Sequence, residues 1–460
     1  MDVQTWQWIL IIGMSLLLFL IAPLSKTKDE FFKATKSDKK PGFWLLTSSL
    51  VISWVFAKSI TNAANLGLSF GFVGGVAYAL YYLSFLVAGW IIYQMRVKGG
   101  FLSIHHFLQK RFGREAVMLF SLLIGFRLFN EVWSNTMVIG SYFGHAGSIS
   151  YFTAILVFTG LTLAYSIKGG LQSSLLTDLI QMVLFGLLLF IILGVLIPKE
   201  GGDIGKFVAS GEWTLAGGLN LAFVALIQVF SYPFHDPVLT DRGFIGTPKT
   251  TLKSFFWATW IGGVCILLFS FVGIYAQFQG MEGQAAVGVS QAFGVAMMLM
   301  MNFIMVTSAA STLDSAFASF SKLAVVDLGK KENISISKGR WAMVILTVLG
   351  TIPIFFNAEI LSATTISGTM VIGLAPIFLF WNKEVPKITF VLVVVTGMLF
   401  GGCLAMGCWP AQLTLFDGKY GDLFSANLLG TITCFAVYGL MTLVKKDALT
   451  TNSKFLIKNK

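Results

Sequence analysis

The sequence predicts an all-α membrane protein of about thirteen transmembrane helices, built from two inverted five-helix repeats that contain discontinuous helices. Three observations carry that prediction. Across 460 residues the chain is 56% hydrophobic and 12% charged, with a mean hydropathy of +0.80, far more apolar than a soluble domain. Apolar runs of about twenty residues, long enough to cross a hydrocarbon core of ~30 Å as helices, recur along the whole chain. Two of these runs carry polar or proline interruptions five spans apart, the offset that a pair of inverted five-helix repeats imposes.

The expected spans lie near 6–25, 43–70, 72–95, 115–143, 148–167, 171–197, 217–240, 252–278, 290–328, 337–356, 359–381, 386–408 and 424–444. Spans 2–6 (43–197) are expected to form the first repeat of a single domain covering 1–460, spans 7–11 (217–381) the second, and spans 1, 12 and 13 to be peripheral. The basic residues support this division. With the N-terminus outside, twenty-six of the thirty-two lysines and arginines fall on inner segments, only Lys199, Lys206 and Lys419 fall outside, and Lys58, Arg127 and Lys322 lie within spans. The net charge of +11 is therefore a topological signal, with no nucleic-acid partner implied.

"MDVQTWQW" lacks a basic leader and the first apolar run ends in "SKTKDE", so the first span is expected to remain as an anchor. Cys265, Cys403, Cys408 and Cys434 lie in or near spans without the partners of a metal site and read as buried small residues. The loops leave no room for a soluble output domain, which argues against a sensor, and no obligate protein partner is evident. No nucleophile–base arrangement recurs, which argues against an enzyme. A channel is less expected than a carrier, and it would show flux beyond carrier turnover.

Backbone polar groups cannot be left open to lipid, so an interrupted span must be covered by protein or line a cavity. The second span carries "AKSITNAANLG" at 57–67, where a break is expected. The seventh carries "FSYPFHDPVLTDRG", in which Pro233 and Pro237 each remove a helical donor. A kink explains the prolines taken alone, whereas the matching offset favours a repeat of broken helices whose free carbonyls can hold a cation. In span 9, Ser308, Ser311, Thr312 and Ser315 stand at i, i+3, i+4 and i+7, one helix face, with Ser319 and Lys322 extending it. Close helix packing is one explanation of such a stripe; Asp314 beside it points to a cation site instead. "YSIKGGLQSSLLTDLIQ" at 165–181 turns at Gly169 and Gly170 and places Asp178 about two helical turns into span 6, beside Thr177 and Gln181.

The last stretch resembles the most recognisable segment of the sodium/solute symporter family, whose members include bacterial proline, galactose and sialic acid transporters. "SAASTLDSAFASFSKLAVVDL" is similar to that family's sodium-site helix, closing on Asp327. The resemblance covers nearly the whole chain and implies a LeuT-type fold with alternating access around a midplane site. It further implies sodium as the coupling ion, bound by main-chain oxygens at Ala57 and Ile60 and by Ser308, Ser311 and Thr312. Asp178, with Asp314 and Ser315 adjoining, matches the region that holds a second sodium in some members. Tyr232 lines up with an aromatic that closes the solute cavity from the inside.

The implied activity is sodium-coupled symport of a small organic solute (an amino acid, sugar or carboxylate), in a bacterial inner membrane with the C-terminus cytoplasmic. Asn62 and Asn65 are candidates for solute contact. Lys58 fits poorly, because an ammonium beside a sodium site repels the ion. It has three available roles: an ion pair with Asp314, Asp178 or Asp236; replacement of a sodium, giving a proton-coupled or sodium-independent carrier; or a contact to a solute carboxylate. Arg127 and Glu131, four residues apart in span 4, share a helix face as an ion pair or as a zwitterion site, and His235 with Asp236 adds a titratable group beside the break.

Overall fold

The computed structural model describes residues 3–356 and 367–458, and these residues fold into helices joined by short loops, with no strand among them. The helices are α1 (Val3–Ile21), α2 (Phe43–Ile52), α3 (Ala57–Ala79), α4 (Ser84–Val97), α5 (Arg114–Ser141), α6 (Ile149–Lys199) and α7 (Asn220–Gln228). They continue with α8 (Pro237–Ile245), α9 (Pro248–Phe278), α10 (Val295–Lys322), α11 (Ile336–Thr351), α12 (Leu374–Leu379), α13 (Thr389–Ala405) and α14 (Gly421–Lys458). Among the described residues, eight helical stretches are long and apolar enough to cross a membrane. Two of them, Ala57–Val97 with 41 residues and Ile149–Lys199 with 51, exceed what one crossing needs.

Both long stretches are interrupted at a glycine in the left-handed region, Gly71 (φ 61°) and Gly170 (φ 56°), at the boundaries expected between spans 2 and 3 and between spans 5 and 6. At Gly170 a side chain is excluded twice over, because a Cβ would also lie 2.5 Å from the Phe31 carbonyl oxygen. The expected span 359–381 lies partly outside the described residues; its later part holds α12.

Burial separates a centre from a periphery. The most apolar windows of α5 and α10 are 61% and 67% buried, against 28% for α1 and 22% for α14, whose outward Ile, Leu and Phe side chains face lipid. The centre is held by close backbone approach rather than by large side chains. Where α3 crosses α9, a Cβ on Gly67 would lie 2.3 Å from the Ser270 carbonyl oxygen and one on Gly273 would lie 1.7 Å from that of Ala64.

The second span is broken, but not where its polar residues stand. Residues 57–67 are helical within α3, and the break is the aromatic segment Ser53–Phe56 ahead of them. That segment contains neither proline nor glycine. It is stabilised from outside: the Tyr82 hydroxyl donates to the Trp54 carbonyl at 2.7 Å, and Asn135 Oδ1 on α5 accepts the Lys58 backbone N–H at 3.1 Å. The seventh span breaks as its prolines demand. α7 ends at Gln228, Tyr232–His235 forms a 3₁₀ turn, and α8 restarts with Asp236 as N-cap and Pro237 as first residue.

Candidate functional site

The two breaks meet beside α5, and four charged side chains join them. Lys58, in the first turn of α3, places Nζ 2.9 Å from Glu131 Oε2 and 3.1 Å from Asn130 Oδ1. Glu131 also pairs with Arg127 one turn earlier on α5, and Arg127 Nη2 reaches Asp236 Oδ2 at 3.4 Å. Asp236 spends its other oxygen as the α8 cap, accepting from the N–H groups of Val238 (2.9 Å) and Leu239 (3.2 Å), and its Oδ2 also accepts from Trp54 Nε1 at 2.8 Å. Signs alternate along the chain, and all four residues are at most 4% exposed.

An aromatic shell flanks these charges. Trp54, Phe56, Tyr78, Tyr81, Tyr82 and Tyr232, with Ser59, line a cavity of about 20 Å³. Lys58 Nζ lies 5.0 Å from the Phe56 ring centroid and the Arg127 guanidinium 5.2 Å from that of Tyr232. Asn62 is in this shell, donating to the Tyr78 hydroxyl at 3.2 Å. Asn65 is not; its Oδ1 accepts the Ala285 N–H at 3.0 Å from the short helix Ala285–Ala292.

The hydroxyl face of α10 is fully interior, with Ser308, Ser311, Thr312 and Ser315 at most 3% exposed, and α10 packs on both α3 and α6. The Ser308 hydroxyl has no hydrogen-bond partner in the structure, and Thr312 Oγ1 donates to the Ser308 carbonyl at 3.0 Å. Ser311 donates to Asp178, and Asp314 accepts from Thr177 at 2.9 Å. A donor set of hydroxyls and carbonyls with an unpartnered oxygen is chemically suited to an alkali cation.

Three expectations need correction. Lys58 is paired, but with Glu131, because its side chain is turned toward α5. Arg242, counted above as a residue of an inner segment, is entirely buried on α8. Its Nη2 lies 3.1 Å from Asp178 Oδ2 and 2.7 Å from Ser315 Oγ, and its Nη1 donates to the Val238 carbonyl at 3.0 Å. Ser49 on α2 touches both Arg242 and Asp178. Helix α8 restarts five residues earlier, so Arg242 projects inward from a segment whose sequence ends in loop-like Gly and Pro. Among the cysteines, only Cys434 is buried, while Cys408 is exposed and Cys265 and Cys403 are half-buried.

Sequence reasoning also missed Trp54, Asn130, Asn135 and Ser49 as partners of the central charges. Asn130 and Asn135 flank Glu131 in "FNEVWSN", and a run of amides around a buried carboxylate is the signal that pointed to them. At the end of the molecule that bears the basic loops, Lys322 pairs with Asp241 and lies 3.7 Å from Asp327, which is also 3.7 Å from His105 Nδ1 on the loop helix Ile104–Arg111. Burial pushes the His105 imidazole down to about 4, helped by the Lys322 charge and opposed by Asp241.

Comparison with known proteins places this arrangement. The chain is 26% identical over 179 residues to sodium/glucose cotransporter 1 of Ovis aries, a match spanning 38% of this chain and 26% of the relative. It is 26% identical over 185 residues to sodium/myo-inositol cotransporter 2 of Mus musculus, spanning 37% of this chain and 27% of the relative. Both of these relatives are sodium-coupled cotransporters by name. No family model matches the chain, and it spans only about a quarter of the length of these two symporter relatives.

The fold is that of LeuT-type transporters. The structure superimposes on a Na+-coupled sialic acid symporter in its substrate-bound outward-open state with a TM-score of 0.73, over 96% of this chain and 98% of the other at 14% identity. It also matches Mhp1, a nucleobase-cation-symport-1 family transporter, with a TM-score of 0.55 over 90% of this chain and 96% of that one at 11% identity. An integral membrane location follows from the spans and from these relatives.

Proposed function

We propose that this chain is a sodium-coupled symporter of a small organic solute, working by alternating access in a bacterial inner membrane with its N-terminus outside. One observation carries the reading: the buried α10 face of Ser308, Ser311 and Thr312 holds an unpartnered hydroxyl, and α10 packs on α3, the helix that restarts after the break, in the fold of a Na+-coupled symporter. Residues 43–197 and 217–381 act as the inverted repeats. Sodium is held by Ala57 and Ile60 main-chain oxygens with Ser308, Ser311 and Thr312, and the solute by the region of Asn62, Arg127, Glu131, Tyr232, His235 and Asp236.

Sodium at this junction ties α3 to α10, and so biases the protein toward the state in which the breaks around the solute cavity are ordered. One sodium moving down ~100 mV gains ~2.3 kcal/mol and a tenfold gradient adds ~1.4 kcal/mol, together enough for a solute ratio of roughly 500. Replacement of the cation by Lys58 has no support, since its ammonium is turned to Glu131 and Asn130 on α5.

Asp178 and Ser315 meet Arg242, and Asp314 accepts from Thr177 and Ser315, so we assign the three to positioning the sodium-site hydroxyls through the contact between Asp178 and Ser311. Thermal stability of the purified protein across a sodium titration, with choline or potassium holding ionic strength, tests the proposal. A ligand of the folded state stabilises it by RT ln(1 + [L]/Kd). A saturable, sodium-specific rise that Ser311→Ala abolishes is the expected result, and equal effects of sodium and potassium would refute it.

A further inference from the structure

The solute class is written in the charges that join the two breaks. Lys58, Glu131, Arg127 and Asp236 are 0%, 4%, 2% and 4% exposed, and they alternate in sign across three helical elements, against the Phe56, Tyr232 and Trp54 rings that line the aromatic cavity. Each buried charge costs several kcal/mol to desolvate, and a packed apolar replacement is commonly as stable or more so. Fold stability alone therefore does not account for four of them at the centre of a membrane protein.

Two buried polar atoms here have no partner, Arg127 Nε and His235 Nε2. The His235 ring sets its own tautomer. Its Nδ1 faces the Tyr232 carbonyl and so carries the proton, which leaves Nε2 as an acceptor. The site thus keeps one unused donor next to the cationic Arg127 and one unused acceptor next to the anionic Asp236. Buried groups of this kind are rare in a finished core and point to a partner that arrives later.

We propose that the solute is a small zwitterion, its carboxylate received by Arg127 and Lys58 and its ammonium by Asp236 and His235 Nε2, with its apolar part against the rings of Trp54, Tyr81 and Tyr232. This rests on the symport reading and names the solute of that same site. The chain of four charges offers two cations and two anions side by side, so a zwitterion can pair with both signs at once without changing the charge of that cluster. A neutral polyol would need only amides and hydroxyls. The cavity of about 20 Å³ has room for roughly one water molecule, so the aromatic shell must part for a solute to enter.

The test uses the purified full chain in saturating sodium. Its thermal midpoint is measured with each of the twenty standard amino acids and glycine betaine, against D-glucose, myo-inositol, L-lactate and choline at equal concentration. The expected result is saturable stabilisation by at least one zwitterion, with at least tenfold weaker binding of its carboxamide and its N-acetyl analogue. The charge-balanced double variant Lys58→Met/Glu131→Gln should bind that zwitterion at least tenfold more weakly while keeping the sodium-only shift. Stabilisation by a polyol, by lactate or by choline in place of a zwitterion overturns the proposal, as does a response to none of the zwitterions. A missing sodium-only shift refutes the symport reading instead, so the two failures are distinguishable.

Discussion

Glu131 is the acceptor on which two buried cations depend, and its replacement by glutamine is the sharpest test of the central charge chain. Lys58 Nζ lies 2.9 Å from its Oε2, Arg127 pairs with its other oxygen, and the Asn135 side-chain amide donates to Oε2 at 2.9 Å. Glutamine keeps the shape and one acceptor but removes the charge, leaving Lys58 with Asn130 alone and Arg127 with Asp236 at 3.4 Å. Breaking a buried pair from one side costs about 3–5 kcal/mol because the surviving charge has no compensation.

Removing the ammonium as well, in Lys58→Met/Glu131→Gln, restores the charge balance and should return at least ~2 kcal/mol of that loss. Denaturant unfolding in detergent micelles, followed by tryptophan fluorescence across the four members of the cycle, reads both quantities. A loss below about 1 kcal/mol in Glu131→Gln, or a double variant no more stable than the single one, would show that Lys58 and Glu131 are not the coupled pair described here.

The remaining predictions address other parts of the molecule. Thr312→Ala should weaken sodium activation of stability at least tenfold without lowering sodium-free stability by more than about 1 kcal/mol, the size of one hydrogen bond; unchanged sodium dependence would remove Thr312 from the site. Gly273→Ala should destabilise by more than about 2 kcal/mol, because its methyl would meet the Ala64 carbonyl oxygen at 1.7 Å and force α3 and α9 apart; a neutral thermal shift would contradict that packing.

His105 ordinarily titrates near 6.5 but is held down at about 4, so the folded state resists the proton that the unfolded chain takes up. Stability should fall as pH drops from about 6.5 toward 4, and His105→Gln should flatten that stretch of the profile; an unchanged slope would refute the burial argument.

Much of the architecture was legible because lipid imposes a strict code. The boundary at Gly170 followed from the Gly169–Gly170 pair between apolar runs, and the seventh-span break followed from Pro233 and Pro237, which no continuous helix accommodates. The second-span break was misplaced because polarity was taken for irregularity. "AKSITNAANLG" is polar because it faces protein, whereas the true break at Ser53–Phe56 is held open by Tyr82 and Asn135, groups remote in sequence.

The ion pair of Arg127 with Glu131 was readable from an i,i+4 spacing, but the partner of Lys58 was not, since the choice among several carboxylates depends on which way the first turn of α3 faces. Arg242 was hidden for the same reason. A charge near the end of a hydrophobic run reads as a loop residue until the restart of α8 fixes its side chain against Asp178.

The most direct test of sodium coupling is equilibrium binding of radioactive sodium to the purified protein, with potassium and choline as competitors. A sodium-coupled symporter built as described binds sodium saturably, resists displacement by potassium, and loses that binding in Ser311→Ala and Thr312→Ala while both variants remain folded. Binding that potassium displaces equally, or that survives both substitutions, would contradict the assignment of the α10 hydroxyl face as the sodium site.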